Sequence, residues 1–240
     1  MPVDILVTLL AVSVVQSIFG VGTLLFGTPI LLLLGYDFIN ALGVLLPVST
    51  AISTLQLIKH HEEIDTAFFK NLLIFSLPLV VAFLALVAMV KINIGIAIGA
   101  VLIFVALKTF SPPIERGLLW IMRYERLYFM VLGLIHGISN LGGSLLTAMI
   151  YAKNYSKDKA RVTGAASYAT LALCQLLTLL LMGTEFSISY ADRAFFVQVG
   201  IVMFLITEEL LYGQIANEIY AKLFAVFLFG SGIMLIIKSL

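Results

Sequence analysis

Charge is scarce in this sequence. Only 11% of its 240 residues are Asp, Glu, Lys or Arg, whereas 62% are hydrophobic. A soluble domain carries about 25% charged residues, which cover its surface, so this composition excludes a soluble globular protein. The formal net charge is +1, and a chain without a basic field has nothing to attract nucleic acid. We therefore expect no nucleic-acid partner.

Cysteine is almost absent as well. Cys174 is the single cysteine and lies in an apolar run, so neither a disulfide framework nor a cysteine-based metal cluster is expected. His60 and His61 precede Glu62 and Glu63, but adjacent residues on a helix point in different directions, and no second group has metal-ligand spacing. The sequence therefore predicts no metal site and no cofactor.

Long apolar runs fill the chain instead. They lie at about 4–34, 38–58, 68–90, 93–110, 127–152, 162–182, 193–211 and 217–238. About 20 consecutive apolar residues span the ~30 Å hydrocarbon core of a bilayer as a helix, and only short polar loops separate these runs. The pattern predicts an all-α polytopic membrane protein, with the lipid bilayer as its surroundings.

Two runs, 4–34 and 127–152, are longer than one ordinary crossing needs, and glycines interrupt both. Gly20-Val21-Gly22 lies in the first run, and Gly142-Gly143 lies in the second. A lone glycine weakens a helix, so a break in an overlong run suggests that the chain turns back. We interpret each long run as a glycine-broken helical hairpin.

The two hairpins are related by an internal repeat. Sliding the sequence by 120 residues aligns Gly22 with Gly142 and Gln16 with His136. After a one-residue shift, further pairs align, namely Ala41 with Ala160 and Gln56 with Gln175. The alignment predicts two membrane repeats, 1–110 and 127–240, each a hairpin plus three transmembrane helices, joined by a cytoplasmic linker at 111–126.

The basic residues predict how the repeats are oriented. If both long runs are hairpins, three cations, Lys91, Arg193 and Lys238, lie on one side of the membrane. The other side holds Lys59, Lys70, Lys108, Arg116, Arg123, Arg126, Lys153, Lys157, Lys159, Arg161 and Lys222. Lys and Arg concentrate in cytoplasmic loops, so this second side is expected to be cytoplasmic and both termini outside. Because one hairpin plus three spans ends opposite its start, the second repeat is inverted, as in many secondary transporters.

The hairpin tips are the candidate binding site. A helix break at membrane depth exposes backbone N–H groups, which must be satisfied by protein or by the contents of a cavity, and helix N-termini bind anions. The predicted substrate-binding residues are Gly20, Gly22, Thr23, Ser49, Thr50, His136, Ser139, Asn140, Gly142, Gly143, Ser144, Ser167 and Tyr168. Three alternatives stay open: glycines that only pack helices, hydroxyls that bond their own helix, and a His136 that is a neutral hydrogen-bonding residue rather than a proton carrier.

The glycine motifs resemble those of the TauE/SafE sulfite exporter family. The resemblance rests on Phe19 to Pro29, followed by the small-residue helix from Ala41 to Ser53, and on a second copy from Gly133 to Ser144 and Ala160 to Ser167. It covers the chain in length, repeat count and segment order. It implies transport of sulfite, sulfonates or other sulfur-containing organic anions.

We therefore predict a secondary transporter that moves a small anion across the cell inner (plasma) membrane. An anion channel and a non-transporting membrane assembly subunit are the alternatives. No catalytic residues are predicted, because His136 has no intramembrane Asp or Glu with which to act. Coupling to a proton or another ion, and assembly as a homo-oligomer, are left open.

Overall fold

The computed structural model describes residues 2–19, 22–90, 95–211 and 217–240, and within these ranges it contains helices and no strand. In chain order the helices are α1 (Val3–Phe19), α2 (Thr23–Leu34), α3 (Phe38–His60), α4 (Thr66–Phe75), α5 (Leu77–Val90), α6 (Gly95–Phe110), α7 (Pro112–Met122), α8 (Glu125–Ser139), α9 (Gly143–Ala152), α10 (Lys157–Leu181), α11 (Tyr190–Leu211) and α12 (Asn217–Ser239). The predicted all-α class is confirmed.

Four stretches are long and apolar enough to cross a membrane by length and composition: Phe38–Ile58, Thr66–Val90, Asp158–Leu181 and Tyr190–Thr207. The spans in α3 and α10 are mostly buried, whereas those in α4–α5 and α11 are mostly exposed. Their exposed side chains are large and apolar, such as Met89 and Val202, as lipid-facing surfaces require. The protein is therefore a multi-pass membrane protein with α3 and α10 at its centre.

Both overlong runs break where the glycines predict. The first separates α1 from α2, and the Tyr36 hydroxyl, just beyond α2, donates to the Asp4 carboxylate in the first turn of α1 at 2.9 Å. The second separates α8 from α9, and Lys153, just beyond α9, pairs with Glu125 at the start of α8 at 2.5 Å. Each pair of short helices therefore begins and ends at the same end of the molecule.

Helix contacts recur between the two halves of the chain. Helix α3 packs on α10 and α6 on α12; α1 packs on α11 as α8 packs on α5, and α3 packs on α11 as α10 packs on α5. We match α4 and α5 together with α11 and exchange the two halves in chain order. The pairs α3–α10 and α6–α12 then map onto themselves, α1–α11 maps onto α8–α5, and α3–α11 maps onto α10–α5.

Three boundaries differ from the sequence-based expectation. The run 68–90 bends at Ser76, whose hydroxyl donates to the Phe129 carbonyl at 2.6 Å. The linker 111–126, expected as a loop, contains α7, which begins with prolines that suit a first helical turn. Helix α10 begins at Lys157 rather than at residue 162, because the Ser156 hydroxyl caps its N-terminus. The last difference places Arg161 inside a helix.

Candidate functional site

The first hairpin tip is held by Gln16. Its side-chain oxygen accepts a hydrogen bond from the Thr23 amide at 3.0 Å, and its side-chain nitrogen donates to the Ser53 hydroxyl at 3.0 Å and to the Ser49 carbonyl at 3.2 Å. The start of α2 thus has a cap from α1, and the Thr23 N–H group is not open to a ligand here. One of the free backbone N–H groups expected at this helix break is thus hydrogen-bonded to Gln16.

Gly22 is needed at this tip because α1 passes very close to it. A Cβ atom at Gly22 would lie 2.7 Å from the Gln16 backbone nitrogen, closer than side-chain carbons come in real proteins. The backbone φ of Gly22 is 171°, which any residue can adopt, so close approach rather than backbone strain requires the glycine.

The second tip repeats this packing with different chemistry. A Cβ atom at Gly142 would lie 2.6 Å from the His136 Cβ, and His136 aligns with Gln16. The Gln175 amide donates to the His136 carbonyl at 3.5 Å, as the Gln56 amide does to the Gln16 carbonyl at 3.0 Å. His136 is fully buried, but neither ring nitrogen has a hydrogen-bond partner within the described residues.

Tyr168 packs against the first residue of α9. Its hydroxyl lies so near Gly143 that a Cβ atom there would be 1.3 Å from it. The Tyr168 ring also makes an edge contact with the His136 ring, with 6.4 Å between centroids. The predicted residues His136, Gly142, Gly143 and Tyr168 are therefore neighbours in the fold.

Asn140 joins the two tips. It ends α8 in the left-handed conformation, with φ of 61°, which asparagine tolerates better than most residues. Its side-chain nitrogen donates to the Thr28 hydroxyl in α2 at 3.0 Å. Thr28 lies five residues beyond Thr23, about 7.5 Å along the helix at a rise of 1.5 Å per residue, so the second tip contacts the first hairpin partway along α2.

Several polar atoms around both tips are buried without a hydrogen-bond partner in the part of the chain that is described. They include the hydroxyl oxygen of Thr23, the side-chain oxygens of Asn140, Gln56 and Gln175, and both ring nitrogens of His136. A buried polar group left unsatisfied costs about 1–3 kcal/mol, and such groups are few in native proteins. Their concentration at two adjacent helix breaks is typical of a site that water or a ligand fills.

The sequence model of the family described as Sulfite exporter TauE/SafE matches residues 5–237. This chain belongs to the TauE/SafE family. Neither a curated protein nor a solved structure matches it. Family membership confirms the resemblance inferred from the glycine motifs and identifies a membrane transport protein.

In this TauE/SafE protein, the hydroxyls of three other predicted ligands donate hydrogen bonds to carbonyls of their own helix. The hydroxyls of Thr50 and Ser167 donate to the carbonyls of Leu46 and Thr163, both at 2.8 Å. The Ser139 hydroxyl likewise donates to the Ile135 carbonyl of its own helix. The Ser144 hydroxyl donates to the Leu141 carbonyl in the turn before α9, and the Ser49 hydroxyl donates to the Gln16 side-chain oxygen in α1 at 3.4 Å. Their roles as ligands stay predictions, and Gly20 lies outside the described residues.

Sequence reasoning missed two members of this TauE/SafE site. Gln16 entered only as the residue aligned with His136, although an amide beside a glycine break is a candidate cap. Arg161 was counted among the loop cations, yet it leaves only 9% of its surface exposed and its guanidinium donates to the Ser17 carbonyl at 3.3 Å. Its position one residue after Ala160, which aligns with Ala41 of a membrane span, was the signal for its burial.

The polar groups at these tips suit the binding of an anion. Among the residues that the structure describes, no three His, Cys, Asp or Glu side chains cluster as metal ligands would. The polar groups present are backbone N–H groups, hydroxyls, amides, one imidazole and the Arg161 guanidinium, and their N–H and O–H donors can bind an anion through hydrogen bonds.

Proposed function

We propose that this TauE/SafE-family protein is a secondary transporter that binds a small anion between the tips of its two hairpins. Sulfite or a sulfur-containing organic anion such as a sulfonate is the substrate class. One observation carries the proposal: the Thr23 hydroxyl is fully buried and without a partner among the described residues, at the N-terminus of a helix that starts at a glycine break.

The N-terminus of α2 suits an anion for electrostatic reasons. Aligned peptide dipoles place about half a positive charge at a helix N-terminus, and in a medium without water this charge is screened less. Helix α2 has 12 residues, long enough for the dipole to develop. Thr23 adds a hydroxyl donor beside it.

Alternating access between two inverted repeats is the proposed transport mechanism. The recurrence of helix contacts between the halves supports two repeats, 1–110 and 127–240. Closure of the hairpins at opposite ends, by Asp4–Tyr36 and by Glu125–Lys153, supports inversion. The end that carries Lys153 and Lys159 would be cytoplasmic and both termini outside, in the cell inner membrane. Rocking of one repeat against the other would then expose the tips to each side in turn.

Flux in proteoliposomes tests this function. The purified protein is assayed with radiolabelled sulfite, and then with sulfonates, carboxylates and chloride as competitors. Saturable uptake supports a carrier, whereas flux that follows voltage without saturation identifies a channel. If no anion is transported and a second protein co-purifies in stoichiometric amount, the chain is an assembly subunit and the transport proposal is wrong.

Thr23→Val tests the site itself, because it removes the hydroxyl and preserves the shape of the side chain. We expect KM for sulfite to rise about tenfold, the effect of one lost hydrogen bond to a charged ligand. Thr54→Val is the matched control: its hydroxyl donates to its own helix at the Thr50 carbonyl, so KM should not change. Equal KM values for Thr23→Val and the wild type would refute this site.

A further inference from the structure

Arg161 lies beside the first hairpin tip. It belongs to α10 in the second half of the chain, but its guanidinium contacts the carbonyl of Ser17 near the end of α1. Ser17 follows Gln16, the residue whose side chain caps Thr23. The guanidinium therefore contacts the last turn of α1, directly before the first hairpin tip.

The equivalent position in the first half of the chain holds no cation. The repeat alignment matches Ala160 with Ala41, so the counterpart of Arg161 in the first half is Leu42, which is fully buried. A leucine fills the equivalent place in α3, and burying a guanidinium costs far more than burying a leucine.

We propose that Arg161 binds the substrate anion at the first tip and selects oxyanions over halides. This inference rests on the anion site proposed above and names its charged residue. The guanidinium is a planar fork that matches two oxygens on one centre, such as those of sulfite, a sulfonate or a carboxylate. A chloride ion is a single acceptor that both arms must share, so it does not match the fork as two oxygens do.

The position of Arg161 also determines the side from which an anion reaches it. Thr163, two residues further along α10, accepts a hydrogen bond from the Asp65 amide in the loop between α3 and α4. The end of the molecule that holds Asp65 is therefore near Arg161. An anion arriving from that end meets the guanidinium before it meets Asn140 and the second tip.

Three substitutions separate charge from packing. Arg161→Gln keeps a donor for the Ser17 carbonyl but removes the charge. Arg161→Lys keeps the charge without the fork, and Arg161→Met keeps the apolar stem alone. Arg123→Gln is the matched control, because Arg123 is an exposed arginine just before α8.

The assay is uptake of radiolabelled sulfite in proteoliposomes, with methanesulfonate and chloride as competitors. For Arg161→Gln and Arg161→Met we expect KM for sulfite to rise about 10- to 100-fold, as for a lost charge-assisted hydrogen bond, while kcat changes much less. Arg161→Lys should have an intermediate KM and discriminate less between methanesulfonate and chloride. Arg123→Gln should match the wild type.

A merely structural role for Arg161 gives a different result. Arg161→Gln would then keep the wild-type KM and competitor ranking, which would overturn the proposal. If the uncharged variants do not fold, Arg161→Lys alone tests the proposal. An unchanged preference of this variant for methanesulfonate over chloride would show that the guanidinium fork does not select the anion. Failure of the wild type to transport any anion would instead refute the proposed function, so the two failures are distinct.

Discussion

The side-chain nitrogen of Asn140 donates to the Thr28 hydroxyl across a distance of 3.0 Å. The two residues are 112 positions apart, and they join the second glycine-broken hairpin to α2 of the first. Both side chains are fully buried, so water does not compete for this bond.

Loss of the Thr28 hydroxyl should uncouple the hairpins. Thr28→Val leaves the Asn140 amide without its acceptor, and an unsatisfied buried donor costs about 1–3 kcal/mol. We expect a lower temperature of half-unfolding in detergent, measured by loss of the monodisperse peak in size-exclusion chromatography. Thr170→Val, whose hydroxyl donates to the Ala166 carbonyl, is the control. Equal temperatures for Thr28→Val and its control would show that the contact does not hold the hairpins together.

Gly143 and Tyr168 should show strong energetic coupling. Gly143→Ala places a methyl group on the Tyr168 hydroxyl, 1.3 Å from it if nothing moves, so the start of α9 or the ring must shift. Overpacking of this kind costs about 1–3 kcal/mol or more. Tyr168→Phe removes the oxygen but leaves the ring carbon 2.5 Å from the added methyl, so the double variant should recover part of the loss.

A double-mutant cycle measures this coupling. The readouts are thermal stability in detergent and KM for sulfite. Gly117→Ala is the control, because a Cβ atom there meets nothing within 4 Å. Additive effects of Gly143→Ala and Tyr168→Phe would contradict the contact between α9 and α10.

The Asp65 carboxyl should give the protein an acid-dependent stability. The hydrogen bond from the Phe68 amide, followed by that from the Tyr155 hydroxyl and the charge of Lys159, lowers the pKa of Asp65 below its usual value. A group whose pKa is lower in the folded protein contributes stability above its ordinary pKa of about 3.9, and this contribution is lost as pH falls through the folded value. Asp65→Asn should therefore be less stable than the wild type at pH 7.

The difference between Asp65→Asn and the wild type should stay constant from about pH 7 to pH 5 and shrink below about pH 4. Thermal unfolding in detergent across this range measures it. Glu62→Gln serves as the control, because Glu62 is exposed in the same loop region. A stability difference that persists unchanged at the acid limit would show that the carboxylate charge is not what stabilises the loop.

The sequence predicts the hairpin breaks well because run length and glycine position are local properties. The run 4–34 has 31 residues, which is too long for one crossing, and Gly22 and Gly142 mark the turns. The bend at Ser76 is harder to predict. Pro78 lies two residues after Ser76 and has no N–H group to donate to the Ile74 carbonyl. Pro29 and Pro47, however, lie inside unbroken helices, so a proline alone does not predict a bend.

The site is only partly predictable, because its contacts join distant parts of the chain. Gly142, Gly143, His136 and Tyr168, all named from the sequence as binding residues, are neighbours in the fold. Gln16 as a cap depends on how closely α1 approaches α2, which composition does not reveal. Counting charges by loop treats every cation as exposed to water, so Arg161 was assigned to a loop. Its side chain is instead buried in the helix bundle.

The two tips differ in one respect that bears on the direction of transport. The first tip contains the Gln16 amide, whose oxygen and nitrogen are both hydrogen-bonded. The second has His136 in the aligned position, and neither nitrogen of its ring has a hydrogen-bond partner among the described residues. For the proposed cycle, the inward-open and outward-open states then hold the same anion with unequal strength. Such a carrier half-saturates at different concentrations for efflux and for influx. Microscopic reversibility requires the maximal velocities of efflux and influx to differ by the same ratio. The carrier is therefore faster in one direction at saturation, although it cannot by itself build a concentration gradient.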